Sequence, residues 1–195
     1  DLLSALDKTA RPAQRAGQII LRIRSFVKRS EPNRTLSDVS AMVSESLELA
    51  DIEMRRRNVR LTHHVAARLP QLMVDPILIE QVLINLMKNA AESIDNAQRP
   101  AGQRLVELRI VPKQINQLPV VEFSVTDTGQ GLPLEDTERV YEAFFSTKVE
   151  GMGIGLNLCR SIIESHQGRI TSENLYNSGE VTGCRFSFWI PVETH

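Results

Sequence analysis

Five of the ten glycines in this 195-residue sequence lie in two short clusters. The first cluster, Asp127-x-Gly129-x-Gly131, ends an apolar run with strand-like composition. The second, at 151–155, opens a run with helical periodicity. Glycine lets a flat ligand approach the backbone closely, and the first amide groups of a helix favour phosphate. The two clusters therefore indicate an α/β domain with a ligand site near these turns.

The apolar pattern predicts the order of the elements that surround the clusters. Helical periodicity marks four segments, at about 37–57, 76–94, 134–141 and 151–166. Strand-like composition marks five runs, at 59–65, 105–111, 120–125, 169–173 and 183–190. The second and third runs read as a hairpin joined by a polar loop, and the last two as a half-buried antiparallel pair. We expect a two-layer α/β sandwich, in which helices cover one face of a mixed, mostly antiparallel sheet.

The first 30 residues form a separate arm. Their apolar stripe recurs at alternating steps of four and three, at Leu2, Leu6, Thr9, Ala13, Ala16, Ile20, Ile23 and Val27. This heptad pattern predicts a long helix that packs in a coiled coil or a bundle. A terminal helix folded back onto its own domain is the alternative. The pair Glu31-Pro32 ends the arm, so the predicted domains are 1–30 and 36–195.

Composition and charge limit which partners and which cellular compartment we expect for this chain. A formal net charge of −1 argues against an electrostatic grip on nucleic acid. No run of 18 apolar residues is present, so no direct membrane contact is expected. Cys159 and Cys184 lack CxxC spacing, which favours core packing over zinc and fits a reducing cytosol. A cytoplasmic domain is the expected setting.

Two asparagines point to a ligand on the second helix of the domain. Asn85 and Asn89 lie one turn apart, on the same face of an otherwise apolar helix. An unpaired buried amide costs about 1–3 kcal/mol, so a ligand, a metal or neighbouring loops must supply partners. Asp127 offers an acceptor that suits the exocyclic amino group of adenine. The GxGxG spacing at 151–155 and the absence of GxxxxGK[ST] exclude dinucleotide-fold and P-loop sites.

Read in order, the motifs resemble a known family. Asn85-Leu-x-x-Asn89-Ala, Asp127-x-Gly-x-Gly131, Phe144-Phe-Ser-Thr-Lys148 and Gly151-x-Gly-x-Gly155-Leu156 resemble the N, G1, F and G2 boxes of the histidine kinase catalytic domain. Thr182-Gly-Cys-Arg-Phe186 resembles the G3 element. The resemblance spans roughly 36–192 and implies the ATP-binding fold shared with gyrase, the Hsp90 chaperones and the MutL proteins. The arm resembles the second helix of the family's dimerisation and phosphoacceptor hairpin.

The resemblance implies a role for each motif. Asn89 would hold Mg²⁺ through its amide oxygen, and Asp127 would read the adenine amino group of ATP or ADP. Further nucleotide contacts are implied for Asn85, Lys88, Gly129, Gly131, Lys148, Gly151, Gly153, Gly155, Leu156 and Thr182. The reaction would transfer the γ-phosphoryl group to a histidine nitrogen, for relay to an aspartate of a response regulator. A second protomer would pair through the arm.

Two departures from the family pattern qualify these roles. The acceptor histidine lies on the first hairpin helix and precedes an acidic residue, but none of His63, His64, His166 and His195 has that setting. This chain is therefore not expected to autophosphorylate alone. Many relatives place lysine three residues after the metal-binding asparagine, where Glu92 stands here, so Lys88 would replace that phosphate contact.

Three alternative functions remain. ATP-driven clamps on this fold activate water with a glutamate four residues before the metal-binding asparagine, whereas Asn85 is an amide and no general base. Protein-serine kinases also use the fold, but a heptad arm ahead of the domain fits a sensor kinase better. A degenerate binding module is opposed by the intact Asn89, Asp127 and Gly153.

Overall fold

A computed structural model of the protein describes residues 32–133, 139–142 and 155–193. The predictions for the arm, for the FFSTK motif with Lys148, and for Gly151 and Gly153 lie outside these residues. So does most of the short helix predicted at 134–141, of which Arg139–Tyr141 is described as a 3₁₀ helix.

Three α-helices lie within the described residues, and each was predicted. They are α1 (Val39–Arg56), α2 (Pro76–Asn96) and α3 (Gly155–Ser165). Asp38 caps α1 by accepting a hydrogen bond from the amide of Ala41 at 2.9 Å. Asp75 caps α2 by accepting one from the amide of Leu78 at 3.3 Å, ahead of Pro76 in the first helical position.

In the described part of the chain, five strands form the main sheet and two short strands form a second one. They are β1 (Thr35–Ser37), β2 (Arg60–Val65), β3 (Leu72–Val74), β4 (Leu105–Ile115), β5 (Leu118–Asp127), β6 (Arg169–Asn177) and β7 (Glu180–Pro191). The main sheet has the order β2-β4-β5-β7-β6; β2 and β4 run parallel and the other pairs antiparallel. The predicted fold class is confirmed. The β1–β3 pair was missed, because three-residue strands are too short to show a period of two.

The predicted hairpin is confirmed, but its loop is shorter than expected. Instead of a polar loop between residues 111 and 120, β4 and β5 continue to a two-residue turn at Asn116 and Gln117. Both turn residues have left-handed φ values, 50° and 69°, as tight hairpin turns require. Residues 112–114 are all exposed, so they lack the alternation that marked the first half of β4.

The core lies between the helices and one face of the main sheet. Phe123 of β5 and Phe188 of β7 stack with ring centroids 4.7 Å apart. Leu83 and Met87 of α2 and Ile163 of α3 are fully buried in the same cluster. One face of α2 is buried in this core, so the polar residues of the helix lie toward the neighbouring turns.

His166 joins the end of α3 to the start of α2. Its buried ring donates through Nδ1 to the carbonyl of Ile162 at 2.7 Å and accepts at Nε2 from the amide of Asp75 at 3.0 Å. The expected end of this helix before Gly168 is confirmed, since the Gly168 amide bonds back to Ile163 at 3.0 Å. The ring therefore has one required tautomer, neutral and protonated on Nδ1.

We expect this histidine to make the fold less stable in acid. Burial lowers the pKa of His166 from its ordinary value of 6.5, so the unfolded chain takes up the proton more readily than the folded one. Its contribution to stability is present above about pH 6.5 and is lost as the pH falls from there through the lowered pKa of the folded state. Urea unfolding at several pH values between about 8 and 5.5 measures this loss.

The test variant is His166→Gln. Its matched control is His63→Gln, because the side chain of His63 is exposed on β2. The slope of unfolding free energy against pH should be smaller in His166→Gln, and His63→Gln should follow the unaltered protein. An unchanged slope in His166→Gln would show that other groups cause the acid sensitivity.

Candidate functional site

One face of α2 carries three polar residues at intervals of four, Asn85, Asn89 and Ser93. Asn85 donates to the thiol sulfur of Cys159 on α3 at 3.3 Å, and its Oδ1 lies 3.0 Å from where a Cβ on Gly155 would be. Ser93 Oγ accepts from the amide of Gln130 at 3.3 Å. The stripe spans about 12 Å along the helix axis. It therefore borders the start of α3 at one end and the turn after β5 at the other, with Asn89 midway.

The turn after β5 is built around Asp127, which is 3% exposed. Its Oδ1 accepts a hydrogen bond from the amide of Gly129 at 2.7 Å, a local bond typical of aspartate in turns. A Cβ on Gly129 would overlap the Ser93 hydroxyl, and Gly131 has a left-handed φ of 77°. Both positions thus favour glycine, and the Asp127 carboxylate lies beside the close approach of Gly129 to Ser93 of α2.

Two side chains that sequence reasoning missed hold the rest of this turn. Arg99 donates through Nε to the carbonyl of Thr128 at 2.8 Å and through Nη2 to that of Gly129 at 3.1 Å. Asn174 on β6 binds both the amide and the carbonyl of Leu132, at 2.7 and 2.6 Å. These partners lie 29 to 42 positions apart in the chain and belong to no local motif. No sequence signal marked either residue.

The segment that resembles G3 supports Asp127 from the neighbouring strand. Gly183 of β7 packs so closely that a Cβ there would overlap the carbonyl oxygen of Asp127. The hydroxyl of Thr182 donates to the carbonyl of Leu175 on β6 at 3.3 Å, beside an irregularity in the strand pairing. Thr182 is therefore engaged within the sheet, and its predicted nucleotide contact stays a prediction.

The two cysteines belong to the packing around the site. Cys159 and Cys184 are 2% and 1% exposed, and both are free. Burial raises the pKa of the Cys159 thiol to about 12, and burial together with the nearby Asp127 carboxylate raises the pKa of Cys184 to about 12. Both thiols are neutral at physiological pH, as expected of cysteines that pack in a core.

Glu92, where resemblance to the family predicted a lysine, is neighboured by a cluster of ion pairs. Arg57 lies 3.8 Å from Glu92 and also contacts Glu53 and Asp95. Burial alone would raise the pKa of Asp95, but hydrogen bonds from Arg104 and Arg57 lower it overall. Arg57 therefore offsets the charge of Glu92 at the end of α2 that faces the Asp127 turn.

The other predicted positions are placed as follows. Lys88 is exposed one position before Asn89, and Gly155 begins α3. The side chain of Leu156 packs against the core, so any contact with phosphate would use its backbone. The described residues hold no group of three His, Cys, Asp or Glu that could bind a metal by themselves. From the described residues alone, a metal at Asn89 would have few protein ligands, which fits a magnesium ion that takes further oxygens from a triphosphate.

Comparison with known proteins decides the family. The family described as "Histidine kinase-, DNA gyrase B-, and HSP90-like ATPase" matches residues 74–194. The chain belongs to this family. Sensor protein FixL of Bradyrhizobium diazoefficiens is 36% identical over 189 residues, which cover 97% of this chain and 35% of that protein. The recognition of a histidine kinase catalytic domain is confirmed.

Solved structures of histidine kinase ThkA give the same result. The catalytic domain of histidine kinase ThkA matches with a TM-score of 0.64 and 28% identity, covering 82% of this chain and 95% of that domain. ThkA in complex with the response regulator protein TrrA matches with a TM-score of 0.72 and 25% identity, over 99% of this chain and 52% of that one. This chain spans about a third of the length of FixL. In the described part of the chain, no helix combines the length and apolar character needed to span a membrane.

Proposed function

We propose that this domain binds Mg-ATP and donates its γ-phosphoryl group to a histidine of a sensor kinase. The observation that carries the proposal is the position of Asp127, a buried carboxylate beside a turn in which Gly129 and Gly131 leave no room for a Cβ. The polar face of α2 connects this turn to the start of α3. Such an arrangement suits a ligand with a flat base at one end and phosphates at the other.

Each residue has a role that follows from its position. Asp127 accepts from the adenine amino group, and the glycines beside it admit the ring. Gly155 opens α3, where backbone amides and the helix dipole favour phosphate oxygens. Asn89 would hold Mg²⁺, which when bound offsets the charge of the phosphates. Lys88 and, by resemblance to the family, Lys148, Gly151 and Gly153 complete the phosphate contacts.

The acceptor and the partners come from outside the catalytic domain. We propose that residues 1–30 belong to the dimerisation hairpin and that the accepting histidine lies on its other helix. The phosphoryl group then passes to a response regulator; the complex of ThkA with the regulator TrrA supports this pairing. A homodimer through the arm and a cytoplasmic location complete the proposal.

Transfer is favoured over hydrolysis by the residue that stands four positions before Asn89. Asn85 is an amide bonded to Cys159, and an amide cannot remove a proton from water at neutral pH. Catalysis therefore rests on positioning and on charge stabilisation of the transferred group. We expect slow ATP hydrolysis by this domain, unlike a clamp that is driven by ATP.

The proposal is tested by calorimetric binding of ADP to Asp127→Asn, with magnesium present. The variant keeps an oxygen for the Gly129 amide but loses the charged acceptor, so ADP affinity should fall about 10- to 100-fold. Inosine diphosphate carries an oxygen in place of the amino group, so its affinity should fall much less. Equal losses for the two nucleotides would argue that Asp127 does not read the base.

Glu107→Gln is the matched control, since it removes one negative charge from an exposed position on the adjacent strand β4. It should bind ADP as the unaltered protein does. If the unaltered protein bound neither nucleotide, the domain would instead be a degenerate module.

A further inference from the structure

We infer that Arg99 is a positioning residue that sets the selectivity of this site for adenine. The inference rests on the proposed function, because it concerns how Asp127 is held to read the base. Its basis is a fork of two hydrogen bonds from one guanidinium to the consecutive carbonyls of Thr128 and Gly129. Arginine is suited to this task because its donors keep a fixed planar geometry.

The fork acts on Asp127 through the backbone. The amide of Gly129 holds Asp127 Oδ1 at 2.7 Å, so the orientation of the carboxylate follows the orientation of the peptide groups around Gly129. Arg99 fixes the carbonyls on both sides of that amide. Removing the fork would loosen these peptide groups, of which one would keep the bond from the Gln130 amide to Ser93, and the carboxylate would be held less firmly in one direction.

Arg99 is itself held in place by the end of α2 and by a second arginine. Gln98 has a left-handed φ of 50°, which turns the chain out of α2 just before Arg99. The carbonyl of Arg99 accepts from Arg104 Nη1 at 3.4 Å. Arg104 also donates to the carbonyl of Arg57 at 2.8 Å and pairs with Asp95. The ion-pair cluster at the end of α2 thus helps to hold Arg99 in position for its two hydrogen bonds.

The turn has other hydrogen bonds that do not involve Arg99. We therefore expect Arg99 to affect nucleotide selectivity more than folding. Thr128 pairs with Leu105 through both its amide and its hydroxyl, and Asn174 holds Leu132. The two ends of the turn are therefore anchored without Arg99. What Arg99 adds is control of the peptide groups that lie next to the carboxylate.

The test compares ADP and inosine diphosphate binding by calorimetry in Arg99→Met, Arg99→Lys and the unaltered protein. Methionine keeps the apolar stem and removes the donors, so the ratio of the two affinities should fall by roughly tenfold, through loss of ADP affinity. Lysine keeps a donor but cannot make two hydrogen bonds from one planar group. The affinity ratio of Arg99→Lys should therefore lie between those of Arg99→Met and the unaltered protein. Arg55→Met is the control, because Arg55 has an 82% exposed side chain and pairs only with Asp51 among the described residues.

An unchanged ratio in Arg99→Met would overturn the inference, and so would an equal loss of affinity for both nucleotides, which would indicate a purely structural role. Thermal unfolding without nucleotide shows whether each variant folds; if Arg99→Met does not, Arg99→Lys carries the same comparison. Failure of the unaltered protein to bind either nucleotide would refute the proposed function, whereas binding with an unchanged ratio in the variants would refute the role of Arg99 alone.

Discussion

Replacing Asn89 with alanine should lower phosphoryl transfer to histidine by roughly 100- to 1,000-fold, the loss typical when one preorganised group that offsets transition-state charge is removed. Asn89 lies midway along the polar stripe of α2, between the Asp127 turn and the start of α3. No cluster of acidic or imidazole ligands among the described residues could replace it as a metal contact. The measurement is acid-labile phosphate on a form of the protein that includes the proposed acceptor histidine.

Asn96→Ala is the matched control, since it makes the same change at an exposed position on the same helix. It should leave transfer unchanged. Binding of ADP without magnesium should survive in Asn89→Ala, because the proposed site of the base is at the Asp127 end of the stripe and Asn89 lies midway along it. Transfer at the normal rate in Asn89→Ala would show that the metal is held elsewhere.

Replacing Gly183 with alanine should destabilise the domain by about 3 kcal/mol, at the upper end of the cost of overpacking a core. The added Cβ would overlap the Asp127 carbonyl oxygen, which is backbone and cannot rotate away as a side chain can. The strands β5 and β7 must therefore separate beside the site. Urea unfolding measures the loss of stability, and calorimetry at a temperature where the variant is folded should show weaker ADP binding.

Gly102→Ala serves as the control, because a Cβ at Gly102 would meet nothing within 4 Å. Its stability and nucleotide affinity should match those of the unaltered protein. If Gly183→Ala were as stable as Gly102→Ala, the strands would not be in the tight contact that the structure describes.

The helices and most of the main sheet followed from local pattern alone. The start of α2 was predictable because Asp75 and Pro76 act on their own helix, and the strands with clean alternation bury every second residue. The predicted strand ends were wrong where this alternation stopped, as in residues 112–114 at the exposed end of the β4–β5 hairpin. The β1–β3 pair gave no pattern because each strand has three residues.

The candidate site, like the fold, could be predicted in part from the sequence. Asn85, Asn89, Asp127 and the glycines beside it stood out in the sequence, because each role depends on residue type and on spacing within one segment. The sequence also marked the cysteines as core residues, which their burial confirms. Lys148, Gly151 and Gly153 stay predictions, as do the arm and the individual nucleotide contacts.

Only the tertiary structure showed what holds these residues in place. Arg99, Asn174 and Ser93 reach the Asp127 turn from segments 29 to 42 positions away, and Gly183 meets it from another strand. Hydrogen bonds and steric contacts of this kind depend on distances in space, which chain spacing does not encode. The sequence by itself therefore determined the family and the fold class, and it pointed to the candidate site residues. Packing of distant segments decided how firmly, and in which direction, those residues are held.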